Sequence, residues 1–268
     1  MNKKVKVLFL GDIVGRPSRR VVKKYLSENK DKYDYVIANV ENASHGFGLT
    51  KSNHDELVQY GIDVMTSGNH IWDKKDIYSY IDDSCYLIRP LNYNPSVQGK
   101  GLKVFDDIVV INLMGKTFMP LVDCPFVTLD KAILKLKEEN SFENKIIFID
   151  FHGEATAEKI CFAKYAKDLG VSCVVGTHTH VQTADEKIMD GKLAYISDAG
   201  ACASMTGVIG MKYDTSLKRI LTSINQKFDI EDELPYELNA VEFEFEGNIP
   251  KYINRIQVVY NNLEEIEK

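Results

Sequence analysis

The sequence predicts an α/β fold in which two packed sheets are flanked by helices, a four-layer α-β-β-α sandwich. Short apolar runs alternate with amphipathic stretches through the first 230 residues, as expected for sheets covered by helices. The tail then alternates apolar and acidic residues over 241–246, which is typical of a half-exposed antiparallel strand. No linker rich in proline or serine interrupts the 268 residues, so we expect one domain over 1–268.

The apolar runs before the tail are short enough to be strands rather than helices. Seven of them are predicted strands: 4–10, 35–40, 62–66, 103–113, 145–151, 171–176 and 193–197. In the tail, Gly247 and Asn248 form a turn signal, and 253–260 is the expected partner of 241–246. The sequence therefore predicts that the chain closes with a hairpin on a second sheet.

Three amphipathic stretches are predicted helices. The first begins near Pro17, which suits the first helical turn, and runs to Asn29. The second lies over 128–140, and the third is capped by Thr156 and ends at Gly170. The inward positions of the first helix are Val21, Val22, Tyr25 and Leu26.

Composition excludes several classes of protein. Apolar residues make up 44% and charged residues 27% of the chain, as in an ordinary globular protein. The net charge of −6 argues against a general nucleic-acid-binding surface. The first apolar run is broken at Asp12 before it is long enough for a signal peptide or a membrane span. Five scattered cysteines without C-x-x-C spacing favour a reducing compartment, and we expect a cytoplasmic protein.

Metal-type ligands follow the predicted strands. Four histidines lie at strand ends, and carboxylates and amides follow the first two strands. The residues concerned are Asp12, Glu41, Asn42, Asn69, His70, His152, His178 and His180. The carboxyl ends of parallel strands are where ligand sites form, and imidazole with carboxylate oxygen suits transition metals. The set is large enough for two ions with a bridging carboxylate, so the sequence predicts a dinuclear metal site.

In their order along the chain, these residues resemble the calcineurin-like metallophosphoesterase superfamily. The Gly-Asp pair at 11–12, the Gly-Asn-His at 68–70 and the Gly-Thr-His-Thr-His at 176–180 carry the likeness. The sequences at 11–17, 41–43, 66–72 and 207–211 resemble more narrowly the YmdB-like bacterial phosphodiesterases. The resemblance spans nearly the whole chain and implies the metallophosphoesterase fold.

The sequence departs from the wider superfamily at three positions. Val14 stands where a histidine ligand is usual, and Glu41 replaces the usual bridging aspartate. Both changes are features of the YmdB-like branch, where an asparagine, here Asn42, supplies the missing ligand. Ile71 stands where an acidic residue is usual, which leaves Asp73 as the candidate that orients His70.

The resemblance implies a role for each matched residue. Asp12, Asn42 and His180 would bind one ion, while Asn69, His152 and His178 would bind the other, with Glu41 between them. A hydroxide held by the two ions would attack phosphorus, and His70 would protonate the departing alkoxide as the general acid. Iron is the implied metal, with manganese as substitute and zinc or cobalt less favoured. Small phosphodiesters, particularly 2′,3′- and 3′,5′-cyclic nucleotides, are the implied substrates.

Other functions remain open at this point. The same metals would serve a phosphomonoesterase or a protein phosphatase, and a regulatory protein would use metals only to brace its fold. Arg16 and His45 are weaker candidates for substrate binding, because each lies in sequence near a predicted ligand. A homo-oligomer is also compatible with the chain.

Overall fold

The computed structural model describes residues 3–225 and 227–267, which form thirteen strands and six helices. Both ends of the predicted domain over 1–268 lie outside the described residues. The strands are β1 (Lys4–Leu10), β2 (Asp12–Ile13), β3 (Tyr35–Asn39), β4 (Val64–Thr66), β5 (Leu102–Val104), β6 (Ile108–Met114), β7 (Ile146–His152), β8 (Cys173–Thr177), β9 (Lys187–Met189), β10 (Leu193–Ile196), β11 (Ala201–Ser204), β12 (Tyr236–Glu246) and β13 (Ile249–Tyr260). The helices are α1 (Gly15–Asn29), α2 (Lys51–Gln59), α3 (Pro125–Glu138), α4 (Thr156–Asp168), α5 (Tyr213–Thr222) and α6 (Leu263–Glu267).

The strands form two mixed sheets. The seven-stranded sheet has the order β2-β11-β12-β1-β3-β4, with β13 paired to β12, and the six-stranded sheet has the order β5-β6-β7-β8-β10-β9. In the first sheet β1, β3 and β4 are parallel, and in the second β6, β7, β8 and β10 are parallel. Each sheet therefore contains a group of neighbouring parallel strands whose carboxyl ends lie at one edge, on one side of the first sheet and at the centre of the second.

An apolar core fills the space between the two sheets. Phe148 of β7 lies between Phe9 of β1 and Phe243 of β12, with ring centroids 5.9 and 5.4 Å away. All three side chains are fully buried, and each contributes about 2–3 kcal/mol through removal of its surface from water. Helices α1 and α2 cover the outer face of the first sheet, and α3 and α4 cover that of the second. The predicted four-layer sandwich is confirmed.

Two strand predictions were wrong in part. The predicted strand over 103–113 is a hairpin, in which β5 and β6 pair antiparallel on either side of Asp106 and Asp107. The closing hairpin of β12 and β13 exists, but β12 pairs with β1 and so belongs to the sheet of the first strand. Alternation over 241–246 identifies a strand with one buried face, but it does not identify the neighbour of that strand.

The helix starts differ slightly from the predicted ones. Thr156 is the first residue of α4 rather than its cap, and the cap residue Ala155 makes no side-chain bond. Glu158 in the first turn instead accepts the backbone N–H groups of Lys116 and Thr117, at 2.9 Å each. The described helices include none that is both long and apolar enough to cross a bilayer.

Candidate metal centre and active site

The predicted ligands meet where the carboxyl ends of the two sheets adjoin. The seven-stranded sheet contributes Asp12, Glu41, Asn42 and Asn69, which follow β1, β3 and β4. The six-stranded sheet contributes His152, which ends β7, and His178 and His180, which follow β8. The contacts between these residues join distant parts of the sequence, as between the side chains of Asp12 and His180.

His152 lies at the centre of one group of ligands. Its Nε2 atom is 3.0 Å from Oε1 of Glu41, 3.2 Å from Oδ1 of Asn69 and 3.1 Å from Nδ1 of His178. Ligand atoms of Glu41, His152 and His178 all lie within 4.8 Å of one another, and His152 and Glu41 are buried. Such a convergent set of nitrogen and oxygen donors suits a transition-metal ion.

Asp12, Asn42 and His180 supply further ligand atoms. Oδ1 of Asp12 is 3.8 Å from Nε2 of His180, and Oδ2 of Asp12 accepts the backbone N–H of His178 at 3.2 Å. The Asn42 amide donates its Nδ2 hydrogen to the carbonyl of Gly46 at 2.7 Å, so that its oxygen remains for another partner.

Two of these oxygens give the strongest sign that the site holds a cation. Oδ1 of Asp12 and Oδ1 of Asn42 are buried and have no hydrogen-bond partner among residues 3–225 and 227–267. Burying an oxygen without a partner is costly, and a carboxylate more so than an amide. A bound metal ion removes that cost, so the residues present fit the group that the sequence predicts.

Each of the three histidines has an acceptor close to the ring nitrogen that faces away from the other ligands, hydrogen-bonded for His152 and His180 and within ion-pair distance for His178. Nδ1 of His152 lies 2.9 Å from Oγ1 of Thr177, and Nδ1 of His180 lies 3.0 Å from the carbonyl oxygen of Ile209. Nε2 of His178 lies 3.2 Å from Oε2 of Glu154. These acceptors assign the hydrogen to the outer nitrogen and leave the lone pair of the inner one for a metal ion.

A buried ion pair fixes the loop that carries His178 and His180. These two residues have φ angles of +105° and +64°, which non-glycine residues rarely adopt. Between them, Thr179 donates its backbone N–H and its hydroxyl to Oδ2 of Asp198, at 3.0 and 2.8 Å. Lys159 bonds the same Asp198 oxygen at 2.8 Å. Asp198 therefore holds the unusual backbone that points both imidazoles into the site.

The pKa values in the metal-free site follow from burial and close charges. Burial alone lowers the pKa of His152, but the carboxylates of Glu41 and Asp12 outweigh it and raise that pKa above its usual value. Burial, together with the charge of His152, lowers the pKa of His178 to about 3. The pKa of His152 is about 9, so in the metal-free protein at neutral pH the His152 ring is positively charged and the His178 ring is neutral.

Metal binding is accordingly expected to release about one proton per chain near neutral pH, because a ligand imidazole must be deprotonated. The affinity for metal should rise with pH until the raised pKa of His152 is passed, since below it the proton competes with the ion. Titration calorimetry of manganese into metal-free protein, in two buffers of different ionisation enthalpy, measures the release. His54→Gln removes a buried histidine outside the cluster and should leave the proton count unchanged. Equal heats in both buffers would contradict the expectation.

His70 lies beside the ligands in a different environment. Its backbone N–H donates to Oε2 of Glu41 at 2.8 Å, whereas its Nδ1 lies 2.8 Å from Oδ2 of Asp73. Its ring packs edge-on against Phe47, with centroids 4.7 Å apart. Because Asp73 takes Nδ1, Nε2 is the nitrogen left for a molecule in the adjoining cavity.

A cavity of about 660 Å³ opens on the ligands. One end is lined by Glu41, Asn42, His70, His178 and His180. Arg16 and His45 do not reach it, and instead line a separate cavity of about 260 Å³ beside α1.

Sequence reasoning missed several residues that support the site. Asp150 accepts the hydroxyl of Thr177 at 2.7 Å, and Glu154 contacts His178. Burial raises the pKa of Asp150 to about 7. Asp150 lies two residues before His152 on the same strand. Alternate residues of a strand share one face, so the position of His152 could have indicated that Asp150 lies on the same side. Glu154 follows the strand end, where no periodicity predicts the direction of a side chain.

The fold matches those of solved structures. A novel phosphatase from Mycoplasma pneumoniae is 31% identical and superposes with a TM-score of 0.89, over 100% of this chain and 98% of that one. A hypothetical protein from Thermus thermophilus is 34% identical, with a TM-score of 0.88 over 95% of this chain and 99% of that one. Fold and site together define a hydrolytic phosphoesterase with the metallophosphoesterase fold.

The sequence comparisons narrow this class to one family. The profile of the YmdB-like protein family matches residues 8–256, and the chain belongs to that family. A 2′,3′-cyclic-nucleotide 2′-phosphodiesterase of Bacillus subtilis (strain 168) is 40% identical over 264 residues, which are 96% of this chain and 98% of that protein. The predicted resemblance is thereby confirmed.

Proposed function

We propose that this protein is a dinuclear metal-dependent phosphodiesterase that hydrolyses cyclic nucleotides, both 2′,3′- and 3′,5′-linked. The observation that carries the proposal is the pair of buried oxygens without a partner, on Asp12 and Asn42, beside three histidines whose outer nitrogens are occupied. The name of the Bacillus subtilis relative supports the phosphodiester substrate.

The ligands divide between two ions as the family resemblance implies. Asp12, Asn42 and His180 would hold one ion and Asn69, His152 and His178 the other, with Glu41 between them. The ions, when bound, offset charge on the phosphoryl oxygens and lower the pKa of water enough to provide the nucleophile. A donor set of nitrogen and oxygen without thiolate suits iron, with manganese as a substitute.

His70 donates a proton from Nε2 to the departing alkoxide. Asp73 accepts from Nδ1 at 2.8 Å, which fixes the ring and leaves Nε2 for the leaving group. The backbone N–H of His70 meanwhile holds Glu41. One residue thus supports the ligands through its backbone and serves the leaving group through its side chain.

A phosphomonoesterase is the second candidate, because the Mycoplasma pneumoniae structure is named a phosphatase. The cavity beside the ligands has room for an organic group in either class of ester, and the diester is favoured by the name of the Bacillus subtilis relative.

Purified protein with its metals retained is expected to hydrolyse phosphodiesters faster than monoesters. The comparison uses bis-p-nitrophenyl phosphate, p-nitrophenyl phosphate, 2′,3′-cyclic AMP and 3′,5′-cyclic AMP, with elemental analysis of the same sample. We expect about two metal ions per chain, the number a dinuclear site requires. Turnover of the monoester alone would overturn the phosphodiesterase, and a metal content near zero after supplementation would overturn the dinuclear site.

A further inference from the structure

The cavity beside the metal ligands has two unlike ends. The end described above carries the ligands and His70. The far end is lined by Met211, Ile220, Phe228 and the guanidinium group of Arg219, and Phe47 lies between Phe228 and His70. With about 660 Å³ in total, the cavity is as large as ordinary small-molecule sites. A phosphoryl group occupies only the ligand end, so the rest of the substrate has to lie at the far end.

Helix α5 forms one wall of the far end. Ser216 is the only residue of this ten-residue helix that is buried, although Ser216, Arg219 and Ile220 all line the cavity. Its apolar side chains are exposed to solvent, including Leu221, which lies outside the cavity lining. The helix therefore contributes little to the core, and its main contribution is to the shape and chemistry of the cavity.

A guanidinium group and two aromatic rings face one another at this wall. Cζ of Arg219 lies 4.8 Å from the ring centroid of Phe228, and the rings of Phe228 and Phe47 lie 6.1 Å apart at 34°. Across the part of the chain that the structure describes, no carboxylate pairs with Arg219. A guanidinium stacked on a ring offers a flat surface with hydrogen-bond donors at its edge. That surface suits a planar heterocycle with acceptor atoms better than an aliphatic chain.

The far end is continuous with the proton donor. The Phe47 ring packs against His70 with centroids 4.7 Å apart, and Phe47 in turn lies beside Phe228. If His70 protonates the departing oxygen, the organic group on that oxygen begins at Phe47 and extends toward Arg219. We propose that Phe47, Phe228 and Arg219 form a subsite that stacks the nucleobase of a nucleoside phosphodiester. This inference rests on the proposed phosphodiesterase function and adds the residues that select the substrate.

A comparison of two substrates tests the subsite. One is 2′,3′-cyclic AMP, and the other is ribose 2′,3′-cyclic phosphate, which has no base. Phe228→Leu should raise KM for the nucleotide about tenfold, because it removes a stacking face but keeps an apolar side chain. It should leave kcat within about twofold and leave KM for the base-free substrate unchanged. Phe228→Tyr keeps the ring and should preserve both KM values.

Leu221→Ala is the matched control, since Leu221 lies on α5 outside the cavity lining. It should change neither KM, and thermal unfolding of each variant verifies that it is folded. An unchanged KM for the nucleotide in Phe228→Leu would overturn the subsite and indicate an aliphatic occupant. An equal rise for both substrates would also overturn it, because the base would then not be the group that is bound.

The two proposals fail in different ways. If the wild-type protein hydrolyses neither substrate with its metals bound, the phosphodiesterase proposal fails. Calorimetric binding of adenosine monophosphate to the wild-type protein and to Phe228→Leu then tests the subsite alone. Weaker binding to the variant supports the subsite, and equal dissociation constants overturn it.

Discussion

Replacing His70 with alanine is expected to lower kcat for 2′,3′-cyclic AMP by about 10²- to 10⁴-fold. The metal content should stay at its wild-type value, because the bond to Glu41 comes from the backbone N–H of residue 70, which alanine retains. The loss should be smaller for bis-p-nitrophenyl phosphate, whose leaving group is a weak base and needs little protonation. Steady-state kinetics on both substrates, with elemental analysis of the same preparations, measure these effects.

His54→Ala provides a matched control for this variant. His54 also bonds an aspartate through Nδ1, with Oδ1 of Asp55 at 2.9 Å, but it lies outside the cavity. Its replacement should leave the ratio of the two rates unchanged. Wild-type turnover by a metal-loaded His70→Ala protein would show that the side chain transfers no proton. An equal loss on both substrates would point to a role in binding rather than in protonation.

The convergence of the predicted ligands follows from the sequence, because residues after neighbouring parallel strands lie at the same edge of a sheet. Each ligand follows an apolar run, and all such runs in a parallel sheet end at one edge. Asp12 and Glu41 follow neighbouring strands of one sheet, and Oε1 of Glu41 lies 3.0 Å from Nε2 of His152, which ends a strand of the other sheet. A local sequence pattern was sufficient to predict this convergence, because the pattern had only to indicate where each strand ends.

The outer part of the site was less predictable, for physical reasons. Helix α5 has one buried residue, so no regular apolar stripe identifies it as part of a core. Arg219 and Phe228 belong to the proposed subsite only because the chain folds back and places Phe228 beside Phe47. The pairing of β12 with β1 likewise joins Phe9 to Val241 across the whole chain, and no local pattern specifies such a partner.

Gly68→Ala is the second substitution for which we expect a large effect. A Cβ atom at residue 68 would lie 2.2 Å from Cδ2 of His152 and 2.5 Å from Oε2 of Glu41. Neither group can easily move away, because His152 is fully buried and its Nδ1 bonds Thr177. The alanine must therefore displace two proposed ligands by about 1 Å, a misplacement that costs about 100-fold in rate. We expect the metal content to fall and the phosphodiester turnover to drop by at least that factor.

The neighbouring Gly153 offers a close control for this substitution. It directly follows His152, but a Cβ atom there would come no closer than 3.2 Å to any atom, and that atom belongs to the ring of Phe151. Gly153→Ala should thus keep most of its metal and activity, while Gly68→Ala loses both and remains folded by circular dichroism. Full metal occupancy in Gly68→Ala would mean that Glu41 and His152 are not held against residue 68 when the ions are bound. That result would contradict the arrangement in which Glu41 and His152 bind metal while packed against residue 68, whatever the activity of the variant.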